Sequence, residues 1–176
     1  MIINKRGFTL IEILIYAAVL AIIVSAVSLY FIWVTRSNAK TKAMKETLNS
    51  AEMAMEIITY EIKEAESIYT PTSLFDTQTG QLSLKTKKYL PEGEIISYID
   101  FYLCGDQLCL KKESQNPISI TSNRVKLTKL ELRRLVDTST TPSIQINLKV
   151  DYKTPAEKPE YQASIELTSA ASLRIY

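Results

Sequence analysis

Hydrophobic and polar positions divide the chain into three regimes. From Phe8 to Val34 there are 27 residues with one charge, Glu12. From Thr35 to Tyr69 charged residues become frequent, and apolar ones recur at Met44, Leu48, Ala51, Met55, Ile58, Ile62 and Ala65. Their alternating spacing of four and three marks one face of a helix. Neither Gly nor Pro occurs between Phe8 and Thr70, so no strong breaker interrupts this stretch. The pattern predicts one helix, apolar all round over 8–34, amphipathic over 35–69, and stopped at Tyr69-Thr70-Pro71. Residues 70–176 hold all six Pro and switch to period two. Ser143–Tyr152 and Tyr161–Thr168 alternate cleanly around the Pro-bearing loop Thr154–Pro159, as half-buried antiparallel strands do. Ile95–Cys104 and Gln107–Glu113 flank Gly105-Asp106, a tight-hairpin signal. Residues 124–135 are strand-like, with a slip of alternation at Thr128-Lys129 that suggests a bulge. A short strand at Leu82–Lys85 interrupts an otherwise loop-like 70–93. The expected class is α+β: a long N-terminal helix whose second half packs on a C-terminal antiparallel sheet. A coiled coil uses a similar seam. A sheet that needs a cover follows at once, so intramolecular packing is expected, with Met55 and Ile58 both inside.

As a helix, residues 8–34 are about 40 Å long, more than the roughly 30 Å hydrocarbon core of a bilayer. The segment can span a membrane. It is about twice the length of a secretory signal's apolar region, although Ala26-Val27-Ser28 offers small residues for cleavage. A plain anchor does not account for Glu12, because a carboxylate inside an apolar helix costs a few kcal/mol and needs a partner. Lys5 and Arg6 are the nearest local candidates.

Composition removes most chemistry. There is no His, which excludes His-based acid–base steps and His-ligated metals. Two Cys cannot build a four-thiolate zinc site, and four Gly leave little for phosphate loops. No catalytic residue, metal or cofactor is expected, and the chain is not read as an enzyme. A net charge of +2 is no nucleic-acid footprint, so direct nucleic-acid binding is not expected.

Lys5-Arg6-Gly7-Phe8-Thr9-Leu10-Ile11-Glu12, followed by the apolar run, resembles the class III prepilin signal of type IV pilins and type II secretion pseudopilins. The resemblance implies a pilin fold and a structural role. It implies that 1–7 is a leader carrying basic Lys5 and Arg6, cut after Gly7 by a prepilin peptidase. Phe8 becomes the N-methylated mature terminus. Glu12 matches the buried acid that neutralises the amino terminus of a neighbouring subunit, an ion pair that satisfies two otherwise costly charges. Residues 8–34 then form the membrane or filament-core half of the helix, 35–69 its amphipathic half, and 70–176 a β-rich head. The implied partners are other pilin subunits, the peptidase, an inner-membrane assembly platform and the lipid bilayer. The implied location is the inner membrane, crossed once with the N-terminus cytoplasmic before cleavage, and then a filament outside the cytoplasm. Two features depart from the family. Many pilins carry a helix-unwinding Pro in the apolar run, and 8–34 has none. Arg36, Lys40, Lys42 and Lys45 follow the span, so charge count alone favours the opposite orientation.

The order of head segments, closing on Ala171-Ser172-Leu173-Arg174-Ile175-Tyr176, resembles W-type minor pilins and J-type minor pseudopilins. The retained Glu12 separates the chain from the tip pseudopilin that lacks this acid. Cys104 and Cys109 bracket the hairpin turn. They are either a small disulfide formed after export or two half-buried thiols. A two-residue turn makes them diagonal, which is poor disulfide geometry, whereas a four-residue loop sets them opposite. Two other roles fit the same chain: an anchored binding domain that does not polymerise, and a competence pseudopilin for DNA uptake.

Overall fold

The computed structural model describes residues 9–135, 142–154 and 161–174. One helix, α1, runs Leu10–Glu64. Eight strands follow: β1 Ser67–Ile68, β2 Leu82–Thr86, β3 Ser97–Cys104, β4 Gln107–Lys112, β5 Ile118–Ser119, β6 Val125–Leu135, β7 Ser143–Tyr152 and β8 Ser164–Ser172. The architecture is α+β and matches the pilin fold. The chain divides into two compact units, Met1–Ala39 and Lys40–Tyr176.

In the second unit the strands form two antiparallel sheets, not the one sheet expected: β1-β2-β3-β4-β5 and β6-β7-β8. Period-two alternation reports which face of a strand is buried, not which strand is its partner. β6 takes β7 as its partner and leaves the first sheet. The segment before β2 lines β6 with backbone bonds: Asp76 N–H to Leu132 C=O at 2.8 Å, and Gly80 N–H to Leu130 C=O at 2.7 Å. A Cβ at Gly80 would stand 2.8 Å from the Leu130 carbonyl oxygen, so only Gly fits there. The β6–β7 register shifts between Leu127 and Lys129, which leaves Thr128 as the extra residue of a bulge.

Residues Lys40–Glu64 of α1 pack on both sheets. Ala51, Ala54, Ile58 and Ile62 join Leu82, Leu84, Ile99 and Phe101 of the first sheet and Leu130, Leu132, Ile144, Ile146 and Leu148 of the second in one core. Each large apolar side chain buried this way contributes about 1.5–3 kcal/mol. The buried face differs from the expected seam. Ala51, Ile58, Ile62 and Ala65 are inside, but so are Ala43, Thr47, Ser50 and Ala54. Met44 is 47% exposed, and Leu48 and Met55 are half-buried. The expected seam has a repeat of 3.5, whereas a straight helix turns once in about 3.6 residues, so the true stripe drifts away from it. Small side chains fill its N-terminal part, and Thr47 is tolerated there because its hydroxyl donates to the Ala43 carbonyl at 2.9 Å.

The helix ends at Glu64, not at Tyr69. Ser67 and Ile68 leave it to pair with Lys85 and Leu84. One free helix-end carbonyl, at Lys63, accepts from the Arg174 N–H at 3.3 Å.

Candidate membrane-anchoring and assembly site

The helix begins with reciprocal hydrogen bonds. The Glu12 backbone N–H donates to Thr9 Oγ1 at 3.3 Å, and the Thr9 backbone N–H donates to Glu12 Oε2 at 3.4 Å. The Thr9 hydroxyl also reaches the same oxygen at 3.4 Å. This is a capping box, which satisfies donors a helix start leaves without partners. Charge reasoning passes over it, yet the signal is legible: Thr9-Leu10-Ile11-Glu12 is Ser/Thr-x-x-Glu before an apolar run. Glu12 thus has a local partner that is uncharged. Lys5, Arg6, Gly7 and Phe8 lie outside the described residues.

Along the first unit every large apolar side chain from Leu10 to Trp33 faces outward; Leu10 is 82% exposed and Ile22 70%. The helix is long and apolar enough to cross a membrane. Its serine hydroxyls are satisfied within the helix. Ser25 and Ser28 hydroxyls donate to the Ala21 and Val24 carbonyls at 2.7 and 2.8 Å. A lipid-facing helix requires such satisfaction, because hydrocarbon supplies no acceptor. Tyr30, Phe31 and Trp33 cluster near its end, with ring centroids 6.3 to 6.5 Å apart from Tyr30. Amphipathic rings of this kind favour the membrane–water boundary.

In the head, Cys104 and Cys109 form a disulfide with a Cα–Cα distance of 5.8 Å. The turn is the two-residue form, since Cys104 pairs with Gln107 and Cys109 with Tyr102. Gly105 sits at φ 62°, as the first position of a type II′ turn demands. The two cysteines are therefore diagonal, and strand twist brings this diagonal within reach.

One acid, Glu61, sits in the head's interior at 6% exposure. Burial pushes its carboxyl above the ordinary value, against the opposing pull of Lys112 and Lys88 and a hydrogen bond from Tyr89. Lys112 Nζ in turn lies 3.4 Å from the Tyr89 ring centroid, a cation–π contact. Nearby, Lys88 Nζ donates to Glu64 at 2.7 Å and to the Tyr60 hydroxyl oxygen at 3.2 Å. The Lys88 bond holds Glu64 below the usual carboxylate range, and a Lys85 bond does the same for Glu66. Among the described residues no group of three or more acids, His or Cys is placed to hold a metal.

An outward-facing apolar helix with a capped acid at its start has the length and surface of a membrane-crossing segment. Residues 2–28 match the family model of the prokaryotic N-terminal methylation motif, consistent with type IV pilins and pseudopilins. The matched span takes in Lys5, Arg6, Gly7, Phe8 and Glu12 and most of the apolar run. No curated protein and no solved structure matches the chain.

Proposed function

We propose that this chain is a structural subunit, of the minor pilin or minor pseudopilin kind, of a type IV pilus or type II secretion-like filament. It is stored as a single-pass inner-membrane protein, cut after Gly7 and methylated on Phe8. It then assembles with its neighbours through Glu12 and the apolar half of α1. The observation that carries this reading is coincidence: the methylation motif at 2–28 overlies an outward-facing apolar helix whose only charge is Glu12. Cleavage creates a cationic amine beside that helix, and a carboxylate supplied by an adjacent subunit neutralises it at the cost of neither charge remaining unpaired.

The test is the N-terminal mass of the protein recovered from membranes of cells that express the peptidase. A chain starting at Phe8 with one added methyl group is expected. A chain still starting at Met1 overturns the reading in favour of an anchored domain that does not polymerise. Salt-dependent DNA binding by the head would move the proposal to a DNA-uptake filament.

A further inference from the structure

The sheet β6-β7-β8 ends on β8, and no described strand lies beyond it. Hydrogen bonds at the two ends of the β7–β8 pair fix which backbone groups of β8 are in use. Tyr152 N–H donates to Ala163 C=O at 2.8 Å, and Leu173 N–H to Pro142 C=O at 3.2 Å. The register between them runs without a slip. Odd-numbered residues therefore bond β7, and Ser164, Glu166, Thr168, Ala170 and Ser172 turn their N–H and C=O groups to the open side. Proteins usually blunt such an edge with Pro, Lys, a bulge or a very short strand. β8 has none of these, and its one charge, Glu166, is held by Lys129 at 3.3 Å. The other sheet ends on β1 and β5, two residues each, and the segment before β2 lines β6. β8 is thus the one long bare edge among the described residues.

A groove runs between β8 and α1, with the half-buried Met55, Ile57 and Leu167 among its walls. Inner-face side chains of a strand added beside β8 would fall into it. Edge and groove therefore call for one occupant, an extended chain with an apolar face and a polar one. The rim sets its direction. Arg174 N–H bonds the Lys63 carbonyl, and Leu167 shares the groove with Met55 and Ile57, so α1 and β8 run the same way. Glu52 and Glu56 stand at one end of the rim, Lys63 and Arg174 at the other. An antiparallel strand enters at the basic end and leaves at the acidic end. Those ends are about 10 to 17 Å apart along the helix, or about three to five strand residues. Residues that share a face alternate, which puts the occupant's acid about four positions before its base. We propose that β8 and this groove receive an extended segment of a different protein, added antiparallel as a fourth strand of the sheet, with an acidic residue leading and a basic one following at that spacing. A second copy fits poorly. Its own long bare edge is β8, and β8 paired antiparallel with β8 sets the Lys40 ends of the two heads at opposite ends of the joined sheet. Two anchored copies enter their heads from the same side, so this step rests on the anchored reading and not on polymerisation.

The test is fluorescence polarisation of a labelled peptide, Thr-Val-Thr-Asp-Thr-Ile-Thr-Lys-Thr, titrated with the full chain in detergent micelles. Its Val and Ile amides carry N-methyl groups. In the proposed pairing these amides face away from β8, and the methyl groups stop the peptide pairing with itself. Binding with a Kd below about 1 mM is expected. Exchanging Asp and Lys should weaken it about fivefold, the scale of one exposed ion pair. Moving the methyl groups to the two central Thr amides, which face β8, should weaken it at least about tenfold, because each removes an edge bond. Thr168→Pro deletes a donor that β7 does not use, so it should keep the melting temperature and lose the binding. Should that variant fail to fold, the methylated peptides on the wild-type chain still decide. No binding up to about 1 mM, or equal binding by the Thr-methylated peptide, overturns the added strand. Equal binding by the exchanged peptide overturns the partner's assigned chemistry. A wild-type dimer that Thr168→Pro makes monomeric gives the edge to a second copy and overturns the proposal as well. A chain that keeps Met1 and forms no filament sinks the function proposed above, while the expected peptide results would still uphold the edge.

Discussion

A single carboxyl, Glu12, combines two tasks that substitution can separate. Its oxygen caps the helix by accepting from Thr9, and in the proposed filament its charge neutralises a neighbour's amine. Gln retains the capping geometry but loses the charge. Glu12→Gln should therefore be cut normally at Gly7 and yet assemble at least about tenfold less, since an unpaired buried amine costs several kcal/mol. Glu12→Ala should lose the cap as well, about 1 kcal/mol more. Sedimented filament relative to the membrane pool measures both, and wild-type assembly by Glu12→Gln would reduce this acid to a cap. Glu61 poses a different question of charge. Burial raises its carboxyl above the ordinary 4.5, so its ionised form is costlier in the folded chain than in the unfolded one. That cost is absent below pH 4.5, sets in as the unfolded chain ionises, and is complete once the pH passes the folded value. Glu61→Gln should thus raise the melting temperature at pH 7, with the gain vanishing towards acid. Glu64, Glu66 and Glu131 run the other way. Held low chiefly by hydrogen bonds from Lys88, Lys85 and Lys129, they support the fold above pH 4.5 and release that support as the pH falls through their lowered values. A Glu61→Gln variant less stable than wild type at pH 7 would mean that the Tyr89 and Lys112 contacts outweigh burial.

At the scale of elements, the helix face makes the sharpest distinction. Ile58 is wholly buried between the two sheets, while Met55 one turn earlier is half-buried at the groove. Ile58→Asp strands an unpaired charge in the core and should cost more than about 3 kcal/mol. Met55→Asp lets its carboxylate reach water and should cost about 1 kcal/mol or less. Chemical denaturation of the head, compared between the two, checks this, and equal losses would place both residues in the core. The seam in the sequence treats them alike because a list of apolar residues with a 3.5 repeat cannot show a drift towards Ala54 and Thr47. Those small residues are buried by proximity to the sheets, not by hydrophobicity. The same limit explains the strands. β7 and the β3–β4 hairpin are legible because eight to ten alternating residues, or a Gly-Asp turn, carry a local signal. β1 and β5 are two residues each, too short for any period, and exist only because a neighbouring strand offers free backbone groups. The division into two sheets depends on long-range pairing that local pattern does not encode. At the N-terminus the reverse holds: the motif and its acid are legible almost completely, because their chemistry is local in sequence.

For the whole molecule the unsettled balance is orientation, and two physical signals disagree. Arg36, Lys40, Lys42 and Lys45 after the span outnumber Lys5 and Arg6 before it, and basic residues favour the cytoplasmic side. The proximity of Cys104 and Cys109 suits the opposite placement, where a thiol pair this close stays oxidised, whereas the cytoplasm keeps thiols reduced. The proposed leader suits that second placement, since a prepilin peptidase would have to meet Gly7 on the cytoplasmic side. Charge bias is a preference of the insertion step, worth a modest energy per residue, and a compartment's redox state acts on the protein for as long as it resides there. The filament reading proposed above places the head outside the cytoplasmic membrane, against the charge count. A pair of single-cysteine variants decides it, because the native pair contributes no free thiol. Asn116→Cys, on an exposed turn of the head, should react with a membrane-impermeant maleimide in intact cells whose outer layers admit the reagent. Asn4→Cys, in a chain kept uncut by withholding the peptidase, should react only after the membrane is opened. The reverse pattern would put the basic cluster on the cytoplasmic side, deny the leader access to its peptidase, and leave an anchored intracellular domain whose disulfide needs another explanation.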